Sequence, residues 1–305
     1  MMEKKKSIYY KSTWDYKKIR PKIRCFIEDG FVIDLTKILE DCDKTESGYL
    51  DMRGFDFSKL FSSQSAIDTL LKEYKDEENL KTHLSKDGWS EYAINSFISQ
   101  SKSQPITKSY HGVFIIRLGY KQKIDFSYSE SKFATKINEN LDDCIFEDCK
   151  HNIEFEGELT HCIFRNCKTG CPYIGSSNYN TKCTFDNIIR GNTSYLSFKP
   201  NVTYQSCKFL HTHFKVVSLH GTVFDNCVFD CTMEGEGIRP IEIPDFLDEL
   251  KYRFSLGLGA IFFNGKIIPV KFINCDLSKL KLKNLKISKG IKFIGCTFKE
   301  NEFLR

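Results

Sequence analysis

The stretch "CDLSKLKLKNLKISKGIKFIGCTF", Cys275 to Phe298, places large apolar residues at Leu277, Leu282 and Ile287, each five after the last. Five matches neither the helical period near 3.6 nor the strand period of 2. With the large residue as centre and the residue two before it as its partner, the run has centres Phe272, Leu277, Leu282, Ile287, Phe293, Phe298 and Phe303. Every gap is five except one of six at Gly290. The partners are Val270, Cys275, Leu280, Leu285, Ile291, Cys296 and Asn301.

The same unit recurs upstream. Thr222/Phe224 precedes Cys227/Phe229, and Cys207/Phe209 precedes Thr212/Phe214. "CIFEDC" (144–149) and "CIFRNC" (162–167) each hold one unit plus the partner cysteine of the next. A longer spacing overlies the short one: Phe164 to Phe185 is 21 residues, Phe209 to Phe229 is 20, and Phe272 to Phe293 is 21. Four units of five make one turn, so the chain is expected to wind as a four-sided coil whose levels pair in parallel. Partner and centre both face inward by strand alternation. The residue between them faces out and is mostly polar, as at Lys208, Asp276, Lys281, Lys286, Lys292 and Thr297. Phe209, Phe229, Phe272, Leu277, Phe293 and Phe298 are predicted interior residues.

This reading gives the composition a cause. The 305 residues include 26 Phe against 4 Met and 2 Trp, and apolar residues make up 41%. A narrow coil needs a column of large side chains, each contributing about 1.5–3 kcal/mol on burial. The small partner slot suits Cys, of which there are 13. The basic N-terminal segment is followed by no apolar run, and no segment has 18 uninterrupted apolar residues. The expectation is therefore reduced thiols in a cytoplasmic protein, or one delivered into a host cell without a cleaved signal peptide.

"FDFSK" (55–59), "IDFSY" (124–128) and "CDLSK" (275–279) resemble the pentapeptide-repeat family, whose motif is a small or apolar residue, Asp or Asn, Leu or Phe, then two polar residues. The resemblance covers most of 120–305 and implies a right-handed quadrilateral β-helix. Cys replaces the family's usual Ala at many partner sites, and coils such as "CPYIGSSNYNTKCTF" are irregular. A wider right-handed β-helix with uneven coils is the alternative. "SGYLDMRGFDFS" is similar to the entry segment of bacterial secreted effectors in which a leading domain precedes pentapeptide repeats.

The fold expected is mainly β: a parallel β-helix over 111–305 with a smaller, partly helical N-terminal domain over 1–110. "IDLTKILE" (33–40) reads as a short helix or strand, and 65–101 as two helices. "IEIPDFLDELKYRFSLG" has Pro244 at a helix start and Gly257 at its end. It is expected as a helical insertion at about 236–262, presenting Phe246, Leu247, Leu250 and Phe254.

Several constellations bear on function. His161, Cys162, Cys167 and Cys171 are zinc-ligand types, but Cys162 and Cys167 fall on repeat positions, so interior packing is the expectation. Cys207 with His211, His213 or His220 is a weak nucleophile–base pattern. Asp142, Asp143, Glu147, Asp148, Glu154, Glu156 and Glu158 form an acidic stretch that reads as a solvated face or, in a glycan-active enzyme, as general acid and base. Lys279, Lys281, Lys283, Lys286, Lys289 and Lys292 form a late basic ladder, fit for an acidic partner or for keeping an exposed coil soluble. No phosphate loop, HExxH, GxSxG or paired CxxC occurs. No residue is assigned to catalysis, a cofactor or a metal.

The function expected is a non-enzymatic protein–protein interaction module of bacterial effector or regulatory type. Its binding residues are expected among Lys279, Lys281, Lys283, Lys286, Lys289, Phe246 and Leu250. Alternatives are a β-helical enzyme on a glycan or polyanion, and a nucleic-acid-binding or topoisomerase-modulating protein. Net charge is +5, and residues 141–305 hold 21 Lys and Arg against 19 Asp and Glu, a net of +2. That balance disfavours an acidic DNA mimic.

Overall fold

The computed structural model describes residues 14–28, 30–60, 77–86, 90–92, 94–95, 114–120, 123–132, 134–191, 196–215, 219, 221–234, 261–263, 266–283 and 291–299. The described chain is a mainly β, parallel β-solenoid of about six turns.

Its coils have four sides where they are most regular. One turn runs Leu141–Asp142, Ile145–Glu147, Lys150–His151 and Ile153–Phe155. The next runs Leu159–Thr160, Ile163–Arg165, Lys168–Thr169 and Tyr173–Ile174. The first side stacks seven strands, ending with Val270–Ile273 and Ile291–Ile294. The second side stacks the aromatic centres in register, Phe146 on Phe164 on Phe185 on Phe209 on Phe229.

The five-residue unit works because each corner adopts a left-handed backbone. Asp143, His161, Lys182, Ser206, Asn226 and Asn274 have φ of +51 to +54°, and each precedes a cysteine. Four of these six residues are Asn, Asp or His, the non-glycine types most at ease there. The corner amide donates to a carbonyl of the following coil, as in Asp143 N to Thr160 O at 2.9 Å and His161 N to Thr181 O at 2.9 Å. A second corner repeats the device at Tyr128, Asp148, Asn166, Asn187 and His211.

Two aromatic columns fill the interior. Phe126, Phe146, Phe164, Phe185, Phe209 and Phe229 stack with centroid separations of 4.9, 4.6, 5.2, 5.5 and 5.0 Å. Tyr204, Phe224, Phe272 and Phe293 form the second, at 5.3, 4.9 and 5.2 Å. These spacings follow from the inter-strand distance of about 4.8 Å. A cysteine column runs beside them: Cys144, Cys162, Cys183, Cys207, Cys227, Cys275 and Cys296. From Cys162 onward each thiol donates to a carbonyl one level back, as Cys207 does to Asn180 at 3.3 Å.

Of the predicted interior residues, Phe209, Phe229, Phe272 and Leu277 are buried. Phe293 is half-buried and Phe298 is 37% exposed, which corrects the reading of Phe298 as a core residue. Phe298 lies on the last described level, paired with Leu277 on the level before it. A residue of a middle coil is sandwiched between two such levels.

The N-terminal residues join the stack directly. The hairpin Arg24–Glu28 and Gly30–Asp34 pairs in parallel with Phe114–Arg117, and Leu50–Asp51 pairs with Ile124–Asp125. Helices occupy Thr36–Glu40 and Glu77–Lys86. Residues 33–40 thus hold the end of a strand and then a helix, with the Thr36 amide donating to Asp34 at 2.9 Å. Of the helical insertion expected at 236–262, residues 236–260 lie outside the described residues, while Ile261 and Phe262 belong to a strand, Ile261–Phe263, paired antiparallel with Lys266–Ile268.

Candidate functional site

The late basic ladder is in place as far as it is described. The strand Lys281–Lys283 lies beside Val228–Glu234, in the register Thr232 to Lys281, Met233 to Leu282 and Glu234 to Lys283. Alternation turns Leu282 inward and leaves Lys281 and Lys283 exposed. Lys279 lies 3.5 Å from the Asp230 carboxylate. The neighbouring Glu234 carboxylate is 2.7 Å from His213 Nε2. Lys279 is therefore paired with Asp230, and Lys283 lies beside a carboxylate that already has a partner. Lys286, Lys289, Phe246 and Leu250 lie outside the described residues.

The acidic stretch is distributed among partners. Glu154 lies 2.7 Å from Lys199 Nζ, and Glu156 pairs with Lys136. Asp142 meets His161 Nδ1 at 2.9 Å, and Asp143 accepts from the Tyr49 hydroxyl at 2.8 Å. On the second side Arg165 sits between Glu147 at 3.5 Å and Asp186 at 3.7 Å, bridging three consecutive levels. The result is a set of outward rungs of alternating charge along the stack.

The candidate ligand sets separate. His161 is an exposed corner residue, Cys162 is in the first cysteine column, and Cys171 is half-buried, with its thiol 3.4 Å from Asn152 Oδ1. Cys207 faces inward, whereas His211 and His213 are exposed and bonded to Asp186 and Glu234. Burial pushes the Cys171 thiol up to about 11, and the Cys231 thiol higher still. None of the thirteen cysteines is in a disulfide.

One group went unread in the sequence. Cys149, His151 and Cys167 are all buried, and their ligand-type atoms lie within 4.8 Å of one another. It is the one such cluster of three or more among the described residues. The trace in the sequence is slight: His151 is five after Phe146 with Cys149 in its partner slot, and the positions stacked on it are polar as well, Ser131 and Thr169. The third member comes from the adjacent coil, where Lys168 pairs with Lys150 and Thr169 with His151.

No family model matches the chain, and no curated protein matches it. Among the described residues no helix is long and apolar enough to cross a membrane.

Proposed function

We propose that the chain is a pentapeptide-repeat-like, non-enzymatic interaction module of bacterial effector or regulatory type that binds another protein along the outer sides of its stack. The observation that carries this reading is the second side itself. Its parallel strands hold outward residues at a fixed spacing near 4.8 Å, with charged rungs at Glu147, Arg165 and Asp186, and the adjacent third side carries exposed Lys281 and Lys283 toward the last level. A packed, hydrogen-bonded stack presents such a pattern without an ordering cost on binding, and its charges set partner choice and association rate.

The glycan-active alternative draws on Glu154 and Glu156. Lys199 and Lys136 occupy those carboxylates, an arrangement suited to tying levels together rather than to delivering a proton.

The test compares the wild type with the combined reversal Lys281→Glu, Lys283→Glu and Lys286→Glu. A stoichiometric protein complex is expected for the wild type, weakened by salt and lost in the reversal, with both proteins melting alike. A complex that survives the reversal, or turnover of a glycan abolished by Glu154→Gln, overturns the reading.

A further inference from the structure

We propose that Cys149, His151 and Cys167 form a binding site for a thiophilic divalent metal ion of the zinc class, buried between two consecutive coils. The first observation is the juxtaposition of two thiols and an imidazole, all within 4.8 Å of one another. The second is the state of the imidazole. His151 is only 5% exposed, yet neither ring nitrogen makes a hydrogen bond of ordinary geometry, and the polar group that faces it is the Cys167 thiol, itself a member of the cluster. An unmet polar group at such depth is destabilising, and native structures hold few of them.

The surroundings raise that cost. The edges of Phe146 and Phe155 flank the ring at centroid distances of 6.0 and 6.1 Å. The adjacent coils hold small hydroxyl residues at this centre, Ser131 and Thr169, so the repeat itself does not call for an imidazole here. A histidine held here is explained by a ligand that needs its nitrogen.

The chemistry of the donors selects the ion. Two thiolates and a neutral imidazole are a borderline-soft set, and with a divalent cation the charge sums to zero. Neutrality matters in an interior where an unbalanced charge is costly. Binding releases one proton from each thiol to solvent and forms two sulfur–metal bonds and one nitrogen–metal bond. Zinc–sulfur bonds near 2.3 Å at a tetrahedral angle set the two sulfurs about 3.8 Å apart, a closure of at most about 1 Å from the present limit. A cavity of about 30 Å³ borders His151, Cys167 and Thr169, enough for one water as fourth ligand. A groove of about 430 Å³ lined by Lys150, Lys168, Thr169 and Gly170 reaches His151 from the surface and provides a route of entry.

The other cysteine column supplies the control. Cys183 and Cys207 stack level on level in the same way, and their thiols donate to backbone carbonyls one level back as those of Cys149 and Cys167 do, at 3.2 Å to Phe126 and Phe146, but no histidine belongs to a cluster with them.

The experiment titrates the reduced, chelator-treated full chain with cobalt(II) and follows thiolate-to-cobalt charge transfer and the d–d bands of tetrahedral cobalt. One equivalent is expected to bind and to be displaced by zinc. The signal should be lost in Cys149→Ser, Cys167→Ser and His151→Leu, and kept in Cys183→Ser and Cys207→Ser. Zinc should raise the melting midpoint of the wild type and leave that of His151→Leu unchanged. Leucine is a repeat-type centre, so His151→Leu should retain the wild-type circular dichroism and decide the matter alone if a serine variant does not fold. Absent bands, bands of full strength in His151→Leu, or equal loss in Cys207→Ser overturn the proposal.

Discussion

The first and last described levels of the stack are built on the same spacing and differ in how far their aromatic residues are buried. At the N-terminal end Phe55 and Phe57 continue the aromatic column below Phe126, with 5.0 Å between Phe55 and Phe57 and 6.2 Å from Phe57 to Phe126. Trp14 then meets Phe55 edge-on at 5.0 Å, and its indole nitrogen donates to the Arg53 carbonyl at 2.9 Å. Tyr16 adds a second ring against Phe55, and its hydroxyl accepts from the Asp56 amide. At the last described level the inward-facing Phe298 is 37% exposed and Phe293 is only half-buried. The repeat places a residue inward, while the neighbouring level and any capping segment decide how much of it leaves water.

The largest effect that tests this contrast is a pair of truncations. Phe55 is fully buried, so Phe55→Ala should cost about 3–5 kcal/mol through lost transfer energy and the cavity left behind. Phe298→Ala, at an accessible site, should cost about 1 kcal/mol. Denaturant midpoints of the two variants give the comparison directly. Equal losses would mean that the ends are equivalent.

The interior of the coils was legible because burial imposes a period. Every centre on the second side from Phe146 to Phe229 was readable, and "FDFSK" at 55–59 marked the unit that closes the column. What was not legible depends on contacts that leave no period. The strand Gly30–Asp34 joins the stack by pairing with Phe114–Arg117, about eighty residues later, and nothing local in "FVIDL" specifies that partner. The Cys149, His151 and Cys167 cluster escaped for a related reason. Its members lie on two different coils, so ligand spacing along the chain never brings them together. The late lysines were readable as outward residues, but their engaged neighbours, Asp230 and the His213–Glu234 pair, belong to earlier coils.

A smaller effect sharpens the comparison at the cysteine column. Cys207 is fully buried at mid-stack, and its thiol donates to Asn180 at 3.3 Å, whereas Cys296 is half-buried on the last described level. Cys207→Ala should cost about 1 kcal/mol, and Cys296→Ala a few tenths. Ala fits the slot sterically, so both variants should keep the wild-type circular dichroism. Thermal melts of the two side by side measure the difference, and a larger loss for Cys296→Ala would reverse the expected order.

The smallest expected effect concerns the charged latch at the N-terminal end. Asp51 accepts from Arg53 Nε at 2.8 Å, from its terminal guanidinium nitrogen at 2.6 Å, and from the Arg53 amide at 3.2 Å. The guanidinium hydrogen bond holds the Asp51 carboxyl below its ordinary value of 3.8, against the opposing effect of burial. A carboxyl depressed in the folded state contributes stability that is fully present above its unfolded pKa. That contribution fades as pH falls through the folded value, because the proton then binds the unfolded chain first. The Arg53 side chain is 36% exposed, so screening keeps the contribution within about 0.2–1 kcal/mol. Arg53→Ala should therefore lower stability slightly at about pH 7, and the gap to the wild type should close only in acid, once pH has fallen through the depressed folded value of Asp51. Urea unfolding of both proteins across that range reads the difference. A gap that stays constant down to acid would assign the role of Arg53 to the packing of its stem near Trp14 and leave the latch without electrostatic weight.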